Sequence, residues 1–166
     1  AKFLENLGAD YFAVAYVSEG VALRNAGLKT PILVLHPQPV NFKKAIEYKL
    51  EPSLYSEKIL TTFLAVAVEM NQTAFPVHIK FNTGLNRLGF STSATADTAE
   101  TLARESALSV KSVFSHLVAS EDLQERNFTA KQIDTFSKTC NIFEGIYGKV
   151  PIRHLCNTSG VINYPE

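Results

Sequence analysis

In residues 76–90, PVHIKFNTGLNRLGF, an alternating strand runs into a turn bracketed by Gly84 and Gly89 that carries Arg87. Val77, Ile79 and Phe81 share one face of that strand, and His78, Lys80 and Asn82 share the other. A buried parallel strand ordinarily carries aliphatic side chains on both faces, so this polar row has to be neutralised. A lysine in mid-strand must find an anion or lose its charge. Arg87 has a planar guanidinium suited to a carboxylate or a phenolate, although a loop arginine is more often a surface ion-pair partner. Two cations about 4 Å apart repel by ~4 kcal/mol at an effective dielectric near 20. Lys80 and Arg87 are therefore expected to share an anion, either a small ion or a modification of Lys80 itself.

Two histidines, His116 and His154, lie at the ends of apolar runs, where each is more often a satisfied core residue than a ligand. Asn157-Thr158-Ser159-Gly160 offers hydroxyls and free backbone N–H groups to an oxyanion such as phosphate, and is also an ordinary turn sequence. Gly84 and Gly89 have the spacing of a nucleotide phosphate loop, but Phe90 and Ser91 stand where Lys and Ser/Thr are needed. No HExxH, GxSxG or carboxylate cluster is present, so no metal site is expected and the common hydrolase chemistries fail.

The elements that must position these residues recur regularly. Runs rich in β-formers occupy 11–16, 32–36, 52–55, 77–81, 110–116 and 150–156, each separated from the next by a stretch able to hold a helix. Repeated βα steps imply a parallel sheet. Ser18 is expected to cap a helix that stops at Gly27, Ser56 to open one through Met70, and Thr129 with Gln132 to form a capping box. Ile59, Phe63, Val66 and Met70 fall on one helical face, as do Ile133, Phe136, Cys140 and Phe143, and both stripes read as core. Periodicity leaves a doubly wound sheet and a (β/α)8 barrel open. Polar residues at several strand ends favour the barrel: His36, Lys80 with Asn82, His116 and Asn157 all lie there. The chain opens inside a helix, AKFLENLG, and ends without a closing strand, so it is expected to be an excerpt of a larger barrel holding about six of eight βα units. A single domain over 1–166 is expected.

Composition sets the outer limits. With 166 residues, 46% of them hydrophobic and 19% charged, the chain can bury a substantial core. Sixteen basic residues balance sixteen acidic ones, so neither nucleic acid nor an anionic membrane is an expected partner. Phe63 to Val68, the longest apolar run, is far short of the roughly 20 residues that span a bilayer. Cys140 and Cys156 lack metal-type spacing and read as reduced thiols of a cytoplasmic protein. Asn71, Asn127 and Asn157 sit in glycosylation-type triplets without a signal peptide, and read as chance matches.

Five blocks carry a family resemblance: YFAVAYVSEGVALRNAGLKTPILVLHP, HIKFNTGLNRLGF, VFSHLVASEDL, NFTAKQIDTF and HLCNTSGVINYPE. In order and spacing they resemble alanine racemases over essentially all of the chain. The resemblance implies a (β/α)8 barrel holding pyridoxal phosphate, followed in the whole enzyme by a β domain, with two chains pairing as a homodimer. It implies an isomerase that interconverts L- and D-alanine for the peptidoglycan of the bacterial cell wall. Arg87 matches the arginine beside the cofactor phenolic oxygen and the substrate carboxylate. Lys80 matches a lysine that is often carbamylated, His116 the histidine near the pyridine ring, and Thr158, with Asn157 before it, the phosphate-binding serine.

Two departures stand out: Asn82 replaces a frequent aspartate, and Thr158 replaces a serine while keeping the hydroxyl. The lysine that bonds the cofactor would precede residue 1 and the opposing tyrosine base would follow residue 166. No catalytic proton-transfer group is therefore expected within the chain, and none of the activity in the chain alone. A barrel that only binds pyridoxal phosphate, and another barrel-type racemase or decarboxylase, remain as alternatives. The segment HLVASEDLQERNFTAKQ is also similar to racemase halves fused to a cell-wall peptide ligase.

Overall fold

A computed structural model describes residues 1–150 and 152–165. In chain order the elements are α1 (Lys2–Asn6), β1 (Phe12–Val14), α2 (Val17–Asn25), β2 (Ile32–Val34), α3 (Phe42–Glu47), β3 (Glu51–Leu54) and α4 (Glu57–Glu69). There follow β4 (Phe75–Asn82), β5 (Phe90–Ser91), α5 (Thr95–Ala103), β6 (Leu108–Phe114), α6 (Arg126–Tyr147), β7 (Ile152–His154) and α7 (Thr158–Asn163). The hydrogen-bonded strand order is β1-β2-β3-β4-β6-β7, with β5 beside β4. Phe12 pairs with Ile32 and Ser112 with Ile152, both in parallel ladders. A doubly wound sheet reverses its order at a switch point. This order follows the chain without reversal, as successive right-handed βα units of a barrel require.

Packing groups the chain into two compact units. The first comprises Ala1–Leu54, Lys58–His78 and Ser106–Ser109, and the second Tyr55–Glu57, Ile79–Glu105 and Val110–Glu166. In the first unit, Val17, Val21, Leu28, Ile32, Val34, Ala45 and Leu50 form one buried cluster. Gly20 lets α2 approach it closely, because a Cβ there would come within 2.8 Å of Leu50 Cδ1. Arg24 ties the end of α2 down by donating to the carbonyls of Leu28, Thr30, Tyr48 and Lys49. The second unit is centred on Phe81, whose ring lies 6.0 Å from Phe90 and 6.1 Å from Phe143. Each fully buried aromatic of this kind contributes ~1.5–3 kcal/mol.

Some helix starts differ from expectation. Helix α2 begins at Val17, so Ser18 is inside its first turn; Glu19 does the capping, its carboxylate accepting from Ala15 and Tyr16 N–H. Helix α6 begins at Arg126, three residues before the expected capping box. Thr129 and Gln132 are thus interior and buried, and the Thr129 hydroxyl has no hydrogen-bond partner. The helical start there is prepared by a short 3-10 turn over Leu123–Glu125, with Asp122 accepting from Gln124 N–H. In α4 the buried stripe is Ile59, Leu60, Phe63 and Ala67, and Val66 and Met70 are only half-buried. The two-residue strand β5 is too short for an alternation signal. Of the expected run 150–156, Pro151 lies outside the described residues.

Candidate cofactor and substrate site

Strand β4 delivers its polar row as the alternation requires. Val77, Ile79 and Phe81 are fully buried, and on the opposite face His78 is paired while Lys80 is not. In the first unit His78 Nε2 lies 2.9 Å from Glu51 Oε2, which also accepts from the Tyr11 hydroxyl at 3.0 Å. Lys80, in the second unit, is 6% exposed, and its Nζ sits 5.6 Å from the centroid of the Phe114 ring. Among the described residues no carboxylate lies within ion-pair distance of Lys80. Burial, and then the nearby Arg87 charge, hold its pKa below the ordinary lysine value.

Arg87 is displayed by a loop that closes on itself. Phe81 and Asn82 pair in parallel with Phe90 and Ser91, so the chain leaves β4 and returns to it within one turn. Asn82 braces the turn: Oδ1 accepts from Gly84 and Asn86 N–H, both at 3.0 Å, and Nδ2 donates to Asn86 Oδ1 at 2.8 Å. Gly84 and Gly89 have φ of 142° and 137°. At Gly89 a Cβ would stand 2.5 Å from Asn82 N, so only glycine lets the returning chain lie on the strand. Arg87 is exposed and makes no ion pair among the described residues.

His116 follows β6 and is half-buried. Burial, Lys80 and Arg87, in that order, push its pKa down, so the imidazole is neutral near pH 7. Within the second unit these three side chains thus act on one another electrostatically, and among the described residues none of them forms an ion pair. Asn157 and Thr158 belong to the same unit but are used differently. Asn157 is the N-cap of α7, its Oδ1 accepting from Gly160 N–H at 2.8 Å and from the Ser120 hydroxyl at 2.6 Å. Its side-chain oxygen is thus committed internally, whereas Thr158 is exposed at the first position of α7. His154 stacks on Phe114 at 4.6 Å and its Nε2 lies 3.1 Å from Ser112 Oγ, the satisfied core histidine. His36, just beyond β2 in the first unit, packs edge-on against Tyr16.

Sequence reasoning missed the braces behind these residues. Thr83 Oγ1 and Ser115 Oγ meet at 2.8 Å, joining the residues just past β4 and β6. Gln132 accepts from Val118 N–H at 3.1 Å and donates to the His116 carbonyl at 3.4 Å. A signal existed: Gln132 stands four residues before Phe136 on a buried stripe where a lone amide needs partners. Cys140 is buried, and its thiol is pushed up to about 11 by that burial, which leaves it unreactive. No group of metal-ligating side chains occurs among the described residues.

Known proteins place this architecture. An alanine racemase of Clostridium tetani is 34% identical over 165 residues, covering 98% of this chain and 42% of the relative. A serine/alanine racemase of Enterococcus gallinarum is 33% identical over 169 residues, covering all of this chain and 23% of the relative. The solved alanine racemase of Clostridium difficile in complex with cycloserine superposes with a TM-score of 0.92 at 25% identity, over 99% of this chain and 45% of that one. The chain therefore spans less than half the length of these relatives, and its fold is the matching incomplete part of a (β/α)8 barrel. The family described as "Alanine racemase, N-terminal domain" matches residues 1–166, and the chain belongs to that family.

Proposed function

We propose that residues 1–166 form the cofactor-cradling part of a pyridoxal-phosphate-dependent alanine racemase, an isomerase that supplies D-alanine to cell-wall peptidoglycan. The observation that carries this reading is the group of Lys80, Arg87 and His116, coupled electrostatically with no carboxylate among the described residues to neutralise it. Such a field suits an anionic ligand. The residues present fit pyridoxal phosphate: an exposed unpaired guanidinium for a phenolic oxygen or substrate carboxylate, a neutral imidazole for a pyridine edge, and the Thr158 hydroxyl for phosphate.

When bound, the cofactor supplies an electron-withdrawing ring that makes the Cα–H of an amino acid acidic. Arg87 would hold the substrate carboxylate and keep the ring oriented, and the closed 82–90 turn gives it a fixed origin. Lys80 sustains Arg87 through a shared anion, a carbamate on its own nitrogen or a bound chloride. His116, whose pKa is held down by burial and the two cations, would offer a neutral imidazole beside the ring. Asn157 sets the turn from which Thr158 projects. The groups that move the proton at either face of Cα stand outside these residues, so a whole enzyme, as a cytoplasmic homodimer, is needed for turnover.

The test is conversion of L-alanine to D-alanine by the full-length protein, read through a D-amino-acid oxidase couple. Arg87→Lys should lower kcat/KM about 10- to 100-fold, the equivalent of the ~1.5–3 kcal/mol of a hydrogen bond to a charged group. Binding of pyridoxal phosphate without D-alanine formation would point instead to a non-catalytic cofactor-binding barrel. Absence of both would end the proposal.

A further inference from the structure

Arg87 and His116 arrive on different segments, and their relative placement has to be set by something rigid. The β4–β5 turn is stiff within itself through Asn82, and the residues following β6 are held at Ser115 by Thr83. Beyond Ser115 the chain leaves the sheet as an irregular segment, His116–Val118, whose backbone groups lose their ladder partners. Gln132, 1% exposed on α6, supplies two of them: its Oε1 takes the Val118 N–H and its Nε2 the His116 carbonyl, while Asn157 Nδ2 donates to the Leu117 carbonyl. The same amide closes against the other segment. A Cβ added to Gly84 would come 3.2 Å from Gln132 Nε2, 3.4 Å from Gln132 Cδ and 3.1 Å from Phe128 Cζ. Gly84 thus lies beside the Gln132 amide, and a methyl group there would push that amide or the Phe128 ring aside by a few tenths of an ångström.

We infer that Gln132 is a positioning residue: one buried amide, clamped to the His116–Val118 backbone and abutting Gly84, fixes the turn of Arg87 and the segment of His116 relative to each other. Its bearing on turnover rests on the racemase reading above; its mechanical role does not. A glutamine is required because one end must accept and the other donate. Methionine preserves the length and burial but neither hydrogen bond. Glutamate preserves the acceptor and loses the donor.

The experiment is hydrogen–deuterium exchange of the full-length protein with two variants that approach the contact from opposite sides. Gln132→Met should raise exchange at least tenfold in the amides of 116–118 and also in those of 83–89, while β1 to β3 keep wild-type rates. Gly84→Ala, which presses on the amide from the turn, should raise exchange in 116–118 as well. In the turnover assay Gln132→Met should lower kcat about tenfold with a smaller change in KM, and Gln132→Glu should give an intermediate loss. Faster exchange confined to the mutated side in either variant, or a uniform increase through the protein, would overturn the inference. Coupled exchange in a protein that makes no D-alanine would sustain the clamp and refute only the racemase reading.

Discussion

Gly89→Ala tests whether the closed turn is what makes Arg87 usable. Two costs combine there. A residue with a side chain at φ of 137° carries backbone strain of ~1–3 kcal/mol. The new Cβ would also lie 2.5 Å from Asn82 N, 2.6 Å from Phe81 C and 3.0 Å from Phe81 O, all backbone atoms of β4 that no rotamer change can move aside. Relieving that overlap costs a further ~1–3 kcal/mol, as overpacking does elsewhere, or breaks the pairing of Phe81 and Asn82 with Phe90 and Ser91. Gly148→Ala isolates the first cost, since its φ is 101° and nothing lies within 4 Å of the added Cβ. Both variants also gain slightly from a less flexible unfolded chain, and this cancels in the comparison. Denaturant unfolding at equal m should place Gly89→Ala about 2 kcal/mol below Gly148→Ala. Fluorescence titration with pyridoxal phosphate should show weaker binding only for Gly89→Ala. Equal stability of the two variants, or unchanged cofactor affinity in Gly89→Ala, would refute the argument that the strand contact at Gly89 holds the turn.

Two further predictions concern ionisable groups whose pKa is shifted by the fold. Because folding lowers the Lys80 pKa, the unfolded chain binds the extra proton, and stability rises with pH between the depressed native value and the ordinary 10.5. Lys80→Met should remove that slope and raise stability at neutral pH while lowering turnover, and added bicarbonate should affect the wild type alone; a slope retained in the variant would exclude Lys80 as its source. Tyr11 is raised to about 12 by burial and the Glu51 carboxylate, so an ultraviolet titration of Glu51→Gln should return its ionisation toward 10; an unchanged Tyr11 titration would show that the Glu51 contact does not govern it.

Much of the site was legible because its signals are local. Strand β4 announces itself by strict alternation, and the need to neutralise His78 and Lys80 follows from that alternation alone. Arg87 between two glycines reads as a displayed cation for the same reason. The braces were not legible, since each depends on which distant segment folds against it. Thr129 and Gln132 have the spacing of a capping box, and only the earlier start of α6 turns them inward. The cap that Asn157 makes for α7, with Ser120 and Gly160 donating to its oxygen, was likewise hidden, since Ser120 is far away in the sequence. Barrel and doubly wound sheet share one periodicity, and the unreversed strand order was what separated them.

Asn82 shows how one substitution divides two tasks that an aspartate would combine. As a brace the amide is the better choice, since Nδ2 donates to Asn86 Oδ1 while Oδ1 takes two backbone N–H groups, and a carboxylate would face Asn86 Oδ1 without a proton to share. As a counter-ion the amide is useless, because it brings no negative charge to Lys80 or Arg87. The turn thereby gains a fully bonded frame and leaves the cation pair to be balanced from elsewhere. On the function proposed above, Lys80 would respond to whatever anion arrives, whether a carbamate, a chloride or the ligand itself, and the tightness with which Arg87 is held would follow that occupancy.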